Sequence, residues 1–397
     1  MIKNLIKIIL GFFIITLVII LKPIFDIRIG KYPIRLGPFV VTPEIWIRKK
    51  KILNIKSIDF WAHIPSQDPN IFLSKIVNRN VRFIPIYIYS SLVFFLNYFN
   101  FKKLSKFFFL KTYTRDTHNI IDTFSPIIKL QRNEIDTAEN ILLKNNVNTS
   151  KKIVCINVRD SLYLKKTFSE FDGSYHDRRD ADINNYLSII KYLVSKDYIV
   201  VRMGKYMKNK AAYEHPNFID YPFCKFKTDL LDIYLGYKCY MSISTGSGWD
   251  SIPYSFRKPI LYTNFSSHSK IQLSSIKHMT IFKLVKDLDN KYLKIDELLQ
   301  NDLRLITNIY KEKKSVFSNY NYIENTNEDL LIATKEFEKY VENNFVPSEE
   351  QKEYKSKFLS KFNSKLVTDV YGEPAHSKDL RGMLCSSFLK KYEEILF

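Results

Sequence analysis

Between residues 151 and 264, short apolar runs rich in β-branched side chains alternate with longer amphipathic stretches, and this alternation restricts the chain more than any other feature. Strands separated by helix-length segments cannot pair as hairpins, so they pair in parallel through crossover helices. The run IVCINV at 153–158 reads as a strand, residues 183–195 as a helix with apolar positions at helical spacing, and 198–202 as the next strand. A strand at 218–221, a helix at 229–235, a strand at 239–243, a helix at 249–256 and a strand at 259–262 complete a five-stranded Rossmann-like sheet. Upstream, 34–47, 52–60, 70–78 and 81–88 suggest a smaller α/β domain, followed by an apolar aromatic stretch at 91–110. Downstream, 294–312 and 330–343 read as helices, then come a polar, Lys-rich segment and a terminal helix at 386–397.

A second constraint lies in the first residues. Residues 4–21 form an apolar run interrupted by Lys7, Gly11 and Thr16, long enough at about 1.5 Å per residue to cross most of a bilayer core. The run ends in ILKPIF, without the small residues of a signal cleavage site, so a retained membrane anchor is expected, with a buried core helix as the alternative. Lys3 and Lys7 precede it, and Lys22, Arg28, Lys31 and Arg35 follow. This distribution leans towards a body on the cytoplasmic side of an inner membrane. Spanning and monotopic insertion both remain open.

Charge narrows the partners. Lys and Arg total 61 against 41 Asp and Glu, a net +20 that suits phosphorylated substrates, an acidic leaflet or nucleic acid. The cations are scattered, however, and the aromatic residues sit mostly in apolar runs such as 107–109, so nucleic acid is not an expected partner. The four cysteines, at 155, 224, 239 and 385, form no CxxC and no paired spacing. Neither a zinc ribbon nor a disulfide scaffold is indicated, and a reducing compartment fits.

In open parallel sheets ligands bind beyond the carboxyl ends of the strands. After the 239–243 strand comes STGSG, residues Ser244, Thr245, Gly246, Ser247 and Gly248, which concentrates two of the chain's ten glycines. Such a turn lets backbone N–H groups approach a phosphate, aided by hydroxyls and a following helix; the alternative is a tight turn with a Ser helix cap. It has neither the GKS/GKT ending of a Walker loop nor GxGxxG spacing. Arg159 follows the first strand and is a candidate bidentate clamp for a diphosphate, or a structural salt-bridge partner of the adjacent loop or of Asp160. Arg202 and Lys205, after the second strand, are further candidate cations or simply solvated. The segment SYHDRRDAD at 174–182 supplies His176, Asp177 and Asp180 as candidate general bases, unless Asp180 or Asp182 merely caps the next helix. No metal-ligand spacing and no GxSxG elbow is present in the sequence.

Taken in order, INVRDSLYL, the 174–205 segment ending VVRMGK, FIDY, DLLDIYL and STGSGWDSIPYSFRKPILYTN resemble a bacterial glycosyltransferase family of surface carbohydrate biosynthesis. The likeness extends weakly to RLGPFVVTPEIWI at 35–47 and NRNVRFIP at 78–85, and returns in the terminal SSFLKKYEEIL. More broadly, the strand ending in VRD and the STG turn look like the donor half of GT-B enzymes, including heptosyl- and fucosyltransferase relatives. Trp249 and Asp250 depart from the heptosyltransferase pattern after the turn. The resemblance implies an α/β, GT-B-like chain of two Rossmann-like domains. Residues 1–27 would be the membrane-associated anchor helix, 28–150 the acceptor-side domain, 151–315 the nucleotide-sugar domain and 316–397 a helical extension. It implies a glycosyltransferase that takes a nucleotide-sugar donor and a surface-polysaccharide or lipid-linked glycan acceptor, with no cofactor and no metal. Arg159 and the STGSG turn would hold the diphosphate, and His176 and its neighbours would face the interdomain cleft. Two other classes stay open, a nucleotide-sugar epimerase of the same architecture and a noncatalytic membrane-associated scaffold.

Overall fold

The computed structural model describes residues 2–22, 24–110, 116–167, 174–300, 320–361 and 380–397. The chain divides into two compact units, Met1–Arg115 with Thr123–Leu130, and Asp116–Asp122 with Gln131–Phe397.

The first unit is built on a parallel three-stranded sheet of β1 (Asp26–Lys31), β2 (Ser57–His63) and β3 (Arg82–Pro85), in that spatial order. Helices Leu36–Ile52 and Ile71–Val77 make the two crossovers. Leu36–Ile52 therefore turns the 34–47 run into a helix, with Val40, Ile45 and Trp46 buried. Asn70 caps the second crossover by accepting from the Leu73 N–H at 2.8 Å. Tyr32 centres the core, its hydroxyl donating to the Phe39 carbonyl at 2.6 Å and its ring edge-on to Trp61 and Phe83. The N-terminal apolar run is the helix Ile2–Leu21, and it lies on the helix Ile86–Tyr98. A Cβ at Gly11 would stand 2.5 Å from the Phe95 Cβ and 2.7 Å from the Ser91 carbonyl, so the approach of the two helices requires glycine there.

The second unit is a doubly wound α/β body. Its strands are β4 (Ile153–Asn157), β5 (Ile199–Arg202), β6 (Phe218–Asp220), β7 (Met241–Ser244), β8 (Ile260–Phe265) and β9 (His278–Phe282). β10 (Leu284–Lys286) and β11 (Asn321–Ile323) form a small antiparallel pair, and β12 (Met383–Leu384) adds the last strand of the main sheet. That sheet is parallel throughout, in the order β12-β9-β8-β7-β4-β5-β6. Five of its seven strands are those expected from the sequence; β9 and β12 extend it on one side.

Helix boundaries differ from the periodicity in instructive ways. The 183–195 segment opens as a 3-10 turn, Ile183–Tyr186, because Asp182 caps Asn184 at 2.9 Å, and continues as the helix Leu187–Ser195. The 249–256 segment is a 3-10 turn, Gly248–Asp250, followed by only Ser251–Ser255 in α conformation. The terminal segment breaks at Tyr392 into Ser386–Lys391 and Glu393–Leu396. Residues 295–300 are helical; the rest of the expected 294–312 helix, from 301 on, lies outside the described residues.

His278 opens β9 in a fully buried position between the rings of Tyr254 and Tyr262. Neither ring nitrogen has a hydrogen-bond partner among the described residues. Burial pushes its pKa down to about 4, against the pull of Asp122 and with the push of Lys277. Between that value and the unfolded value near 6.5, the unfolded chain binds the extra proton, so this group's contribution is complete above the window and is lost as pH falls through it. The shift corresponds to on the order of 3 kcal/mol. Asp232 and Asp250, both raised to about 6 by burial, work in the opposite direction. A His278→Phe variant isolates the histidine: its urea midpoint relative to the parent should rise progressively from pH 7 to pH 4.5, and an unchanged difference across that range would refute the assignment.

Candidate active site

The order of the main sheet reverses direction between β4 and β7, and in open parallel sheets ligands bind beyond the carboxyl ends of the strands at such a switch point. Asn157 and Ser244, the last residues of the two strands, are in register. The loops that follow are joined: Thr245 N donates to the Asn157 carbonyl at 3.1 Å, Arg159 N donates to Thr245 Oγ1 at 3.0 Å, and the Asn157 amide donates to Ser247 Oγ. Arg159 and the STGSG turn are therefore brought together.

The turn has its own internal order. Gly246 sits at φ +77°, in the left-handed region that favours glycine, and a Cβ there would meet the Phe265 ring at 2.8 Å. Gly246 N donates to Ser244 Oγ at 3.3 Å, Ser247 N to Asp250 Oδ2 at 2.5 Å, and Trp249 N to Ser247 Oγ at 3.1 Å. Ser244 Oγ donates to the other oxygen of Asp250. Burial raises Asp250 to about 6, and the bonds from Ser244 and Ser247 oppose that rise. An anion arriving at the Ser247 N–H must displace this carboxylate. The five-residue helix beyond is also too short to add an aligned peptide dipole of the kind long helices offer.

Positive charge comes instead from the 3-10 segment Ser174–Arg179, which crosses the carboxyl ends of several strands. Arg179 donates to the Gly246 carbonyl in the turn. Arg178 donates to the Ser266 carbonyl and, at 3.0 Å, to Ser267 Oγ just after β8. Arg159 donates to the His176 carbonyl at 3.0 Å and forms an ion pair with Asp180. His176 Nδ1 lies 3.4 Å from an Arg179 nitrogen; a guanidinium only donates, so the contact places the imidazole proton on Nε2. Asp177 is exposed, while Asp180 is the counter-ion of Arg159.

Lys283, immediately after β9, is not among the sequence candidates. It is buried, and its Nζ donates to the Asp180 carbonyl at 2.7 Å. Burial lowers its pKa to about 8; Glu324 opposes that shift and Arg159 adds to it. The signal is present, a lysine closing the apolar run HMTIF, but it becomes readable only once that run is recognised as a strand of the same sheet.

Arg202 belongs to a different cluster. It is buried at the end of β5, 3.2 Å from Asp220 on β6, and donates to the Asn209 carbonyl at 2.8 Å. The Lys205 carbonyl accepts from Lys227 Nζ at 2.8 Å on that same side of the sheet. Asn264, at the end of β8, is structural: it exchanges two 2.6 Å hydrogen bonds with Asn325. Among the described residues, no three His, Cys, Asp or Glu side chains group as metal ligands. In the first unit, a cavity of about 340 Å³ bordered by Trp46, Lys50, Asp59 and Trp61 opens near the amino ends of β2 and β3, away from the edge where parallel sheets bind ligands.

No family model matches the chain, and no curated protein matches it. Among solved structures it is similar to a glycosyl transferase family 9 protein from Veillonella parvula, with a TM-score of 0.43 and 9% identity over 78% of this chain and 96% of that one. It is also similar to the E. coli ADP-heptose LPS heptosyltransferase II, with a TM-score of 0.40 and 11% identity over 65% of this chain and 90% of that one.

Proposed function

We propose that the protein is a glycosyltransferase of GT-B type, transferring a sugar from a nucleotide-sugar donor to a surface-polysaccharide or lipid-linked glycan acceptor. The observation that carries this reading is the convergence of Arg159, Arg178, Arg179 and Lys283 with the Ser244–Gly248 turn at the switch point of a doubly wound parallel sheet. Three guanidinium groups and an ammonium suit the two phosphates of a nucleoside diphosphate, whose charge grows as the sugar leaves. Neutralisation by side chains assigns no part to a metal ion, so transfer should persist in excess EDTA.

Within this reading the 174–180 loop also serves the acceptor. Asp177 is the base that takes the acceptor hydroxyl proton, Asp180 positions Arg159, and His176 offers its Nε2–H to the departing diphosphate. Arg202 is left out because it pairs with Asp220, and Lys205 because it lies with that β5–β6 cluster. The test is transfer of radiolabelled sugar from UDP-, GDP-, ADP- and CMP-sugar donors to a glycolipid extract. Asp177→Ala should retain nucleotide binding and lose transfer by about 10²-fold, the lower range for a positioned base. Parental turnover in that variant would move the base elsewhere, and absence of nucleotide binding by the parent would end the transferase reading.

A further inference from the structure

Beyond Lys7 the helix Ile2–Leu21 is apolar around its circumference apart from Thr16, yet the protein covers only one stripe of it, at Gly11, Ile15 and Val18. Ile6, Ile9, Phe13, Leu17 and Ile20 on the remaining surface are 48 to 66% exposed. A helix that is apolar all round requires an apolar surrounding on every side.

Its packing decides how that surrounding is supplied. Contacts with the helix Ile86–Tyr98 run along most of the length: Lys7 lies over the Phe94 ring, Gly11 against Ser91 and Phe95, and Ile15 and Val18 share a cluster with Leu92 and Leu96. Ile86–Tyr98 has 13 residues, about 20 Å at 1.5 Å each, against a hydrocarbon core of about 30 Å. It also follows directly on β3. A spanning Ile2–Leu21 would therefore carry this short helix, and the sheet end joined to it, into hydrocarbon, where open strand edges are not tolerated.

The second helix and its continuation show the same exposure. Tyr87, Tyr98, Phe99, Phe101 and Phe107 are 44 to 64% exposed. Residues 1–25 and 69–115 contain three and eight basic residues respectively, and no Asp or Glu. Apolar faces, interfacial tyrosines and an acid-free basic surround on the same segments match a bilayer with anionic headgroups.

We propose that the first unit is monotopic, lying on an anionic membrane surface with Ile2–Leu21 in the plane of the interface and the 98–107 segment as a second insertion element. This inference is independent of the transferase reading, since it uses none of the residues at the switch point.

The experiment uses the full chain with vesicles of phosphatidylcholine, alone or mixed with phosphatidylglycerol. Phe101→Trp, set against the unmodified chain with its buried tryptophans, should gain fluorescence that brominated phosphatidylcholine quenches. Lys3→Cys should react with a membrane-impermeant maleimide added outside the vesicles as fast as it does in detergent. Phe13→Glu combined with Leu17→Glu, at exposed positions, should lower the vesicle partition coefficient at least tenfold with an unchanged circular dichroism spectrum, and added salt should weaken binding of the parent. Fluorescence of Phe101→Trp that the brominated lipid leaves unquenched, or a thiol in Lys3→Cys that the bilayer shields from the maleimide, would overturn the proposal in favour of a spanning helix. Vesicle-indifferent protein that sediments as a dimer would overturn it in favour of a second copy covering the face.

Discussion

Replacing Arg179 with alanine is expected to raise the Kd for a nucleoside diphosphate at the proposed donor site by roughly 10- to 100-fold in isothermal titration, the scale of a lost charge-assisted hydrogen bond of about 1.5–3 kcal/mol. Arg179 is anchored on the Gly246 carbonyl, so its charge is held at the turn itself. Arg202→Ala provides the contrast. Its guanidinium is buried against Asp220 on the far side of β4, and removing it leaves that carboxylate without its ion-pair partner. The expected outcome is a nucleotide Kd within twofold of the parent and an unfolding free energy lower by about 3 kcal/mol or more. Equal losses of affinity in the two variants would mean that the binding site reaches across β5, and the switch-point assignment would fail.

A comparable loss of stability is expected from Glu336→Gln. Glu336 projects from the helix Asn327–Glu342, and its carboxylate accepts from the backbone N–H groups of Ser386 and Ser387, each at 2.9 Å, from Ser386 Oγ at 3.0 Å and from Gln351 Nε2 at 2.9 Å. It thus caps the start of the helix Ser386–Lys391 from outside. The amide of Gln would turn one acceptor into a donor aimed at an N–H group or hydroxyl. A penalty of about 3 kcal/mol in urea denaturation follows from two lost charge-assisted bonds. Burial works to raise the Glu336 pKa, but the bonds from Ser387, Gln351 and Cys385 outweigh it and hold the pKa below the ordinary value. Such a group stabilises above its unfolded pKa, near 4.3, and that contribution is lost as pH falls through the lower folded value. The difference between parent and variant should therefore narrow on acidification below about pH 4.

The parts of the molecule legible in the sequence are those in which local pattern and tertiary role coincide. β4, β5, β7 and β8 are buried at every position because both faces of a parallel sheet are covered, β4 and β5 are rich in β-branched residues, and the limits of all four fall within two or three residues of the expected ones. β12 has only two residues, and pairing with β9 defines it; no local pattern announces so short an edge. β9 is hidden by its composition, since His278 and Thr280 break the apolar run although both are buried. Losing β9 means losing Lys283. The site shows the same division. Strand-end logic locates Arg159 and the STGSG turn, while the use of the turn's N–H groups by Ser244, Ser247 and Asp250 depends on side-chain geometry that spacing cannot encode. In SYHDRRDAD the density of charge is legible; which side chains face Gly246 and Ser266 is not, because a 3-10 segment has no amphipathic period long enough to read.

The remote origin of β12 also has a temporal side. Met383 and Leu384 pair with Met279 and Thr280, so the outer edge of β9 waits for chain made about a hundred residues later. At roughly 5–20 residues per second, translation leaves that row of backbone donors and acceptors uncovered for about 5 to 20 s. An open strand edge is a template for a neighbouring nascent chain, and His278 at the start of β9 and Thr280 in its middle, polar residues in a mostly apolar strand, make it a less adhesive one. Elongation rate thus sets how long the edge of β9 stands open before Met383 and Leu384 can close it.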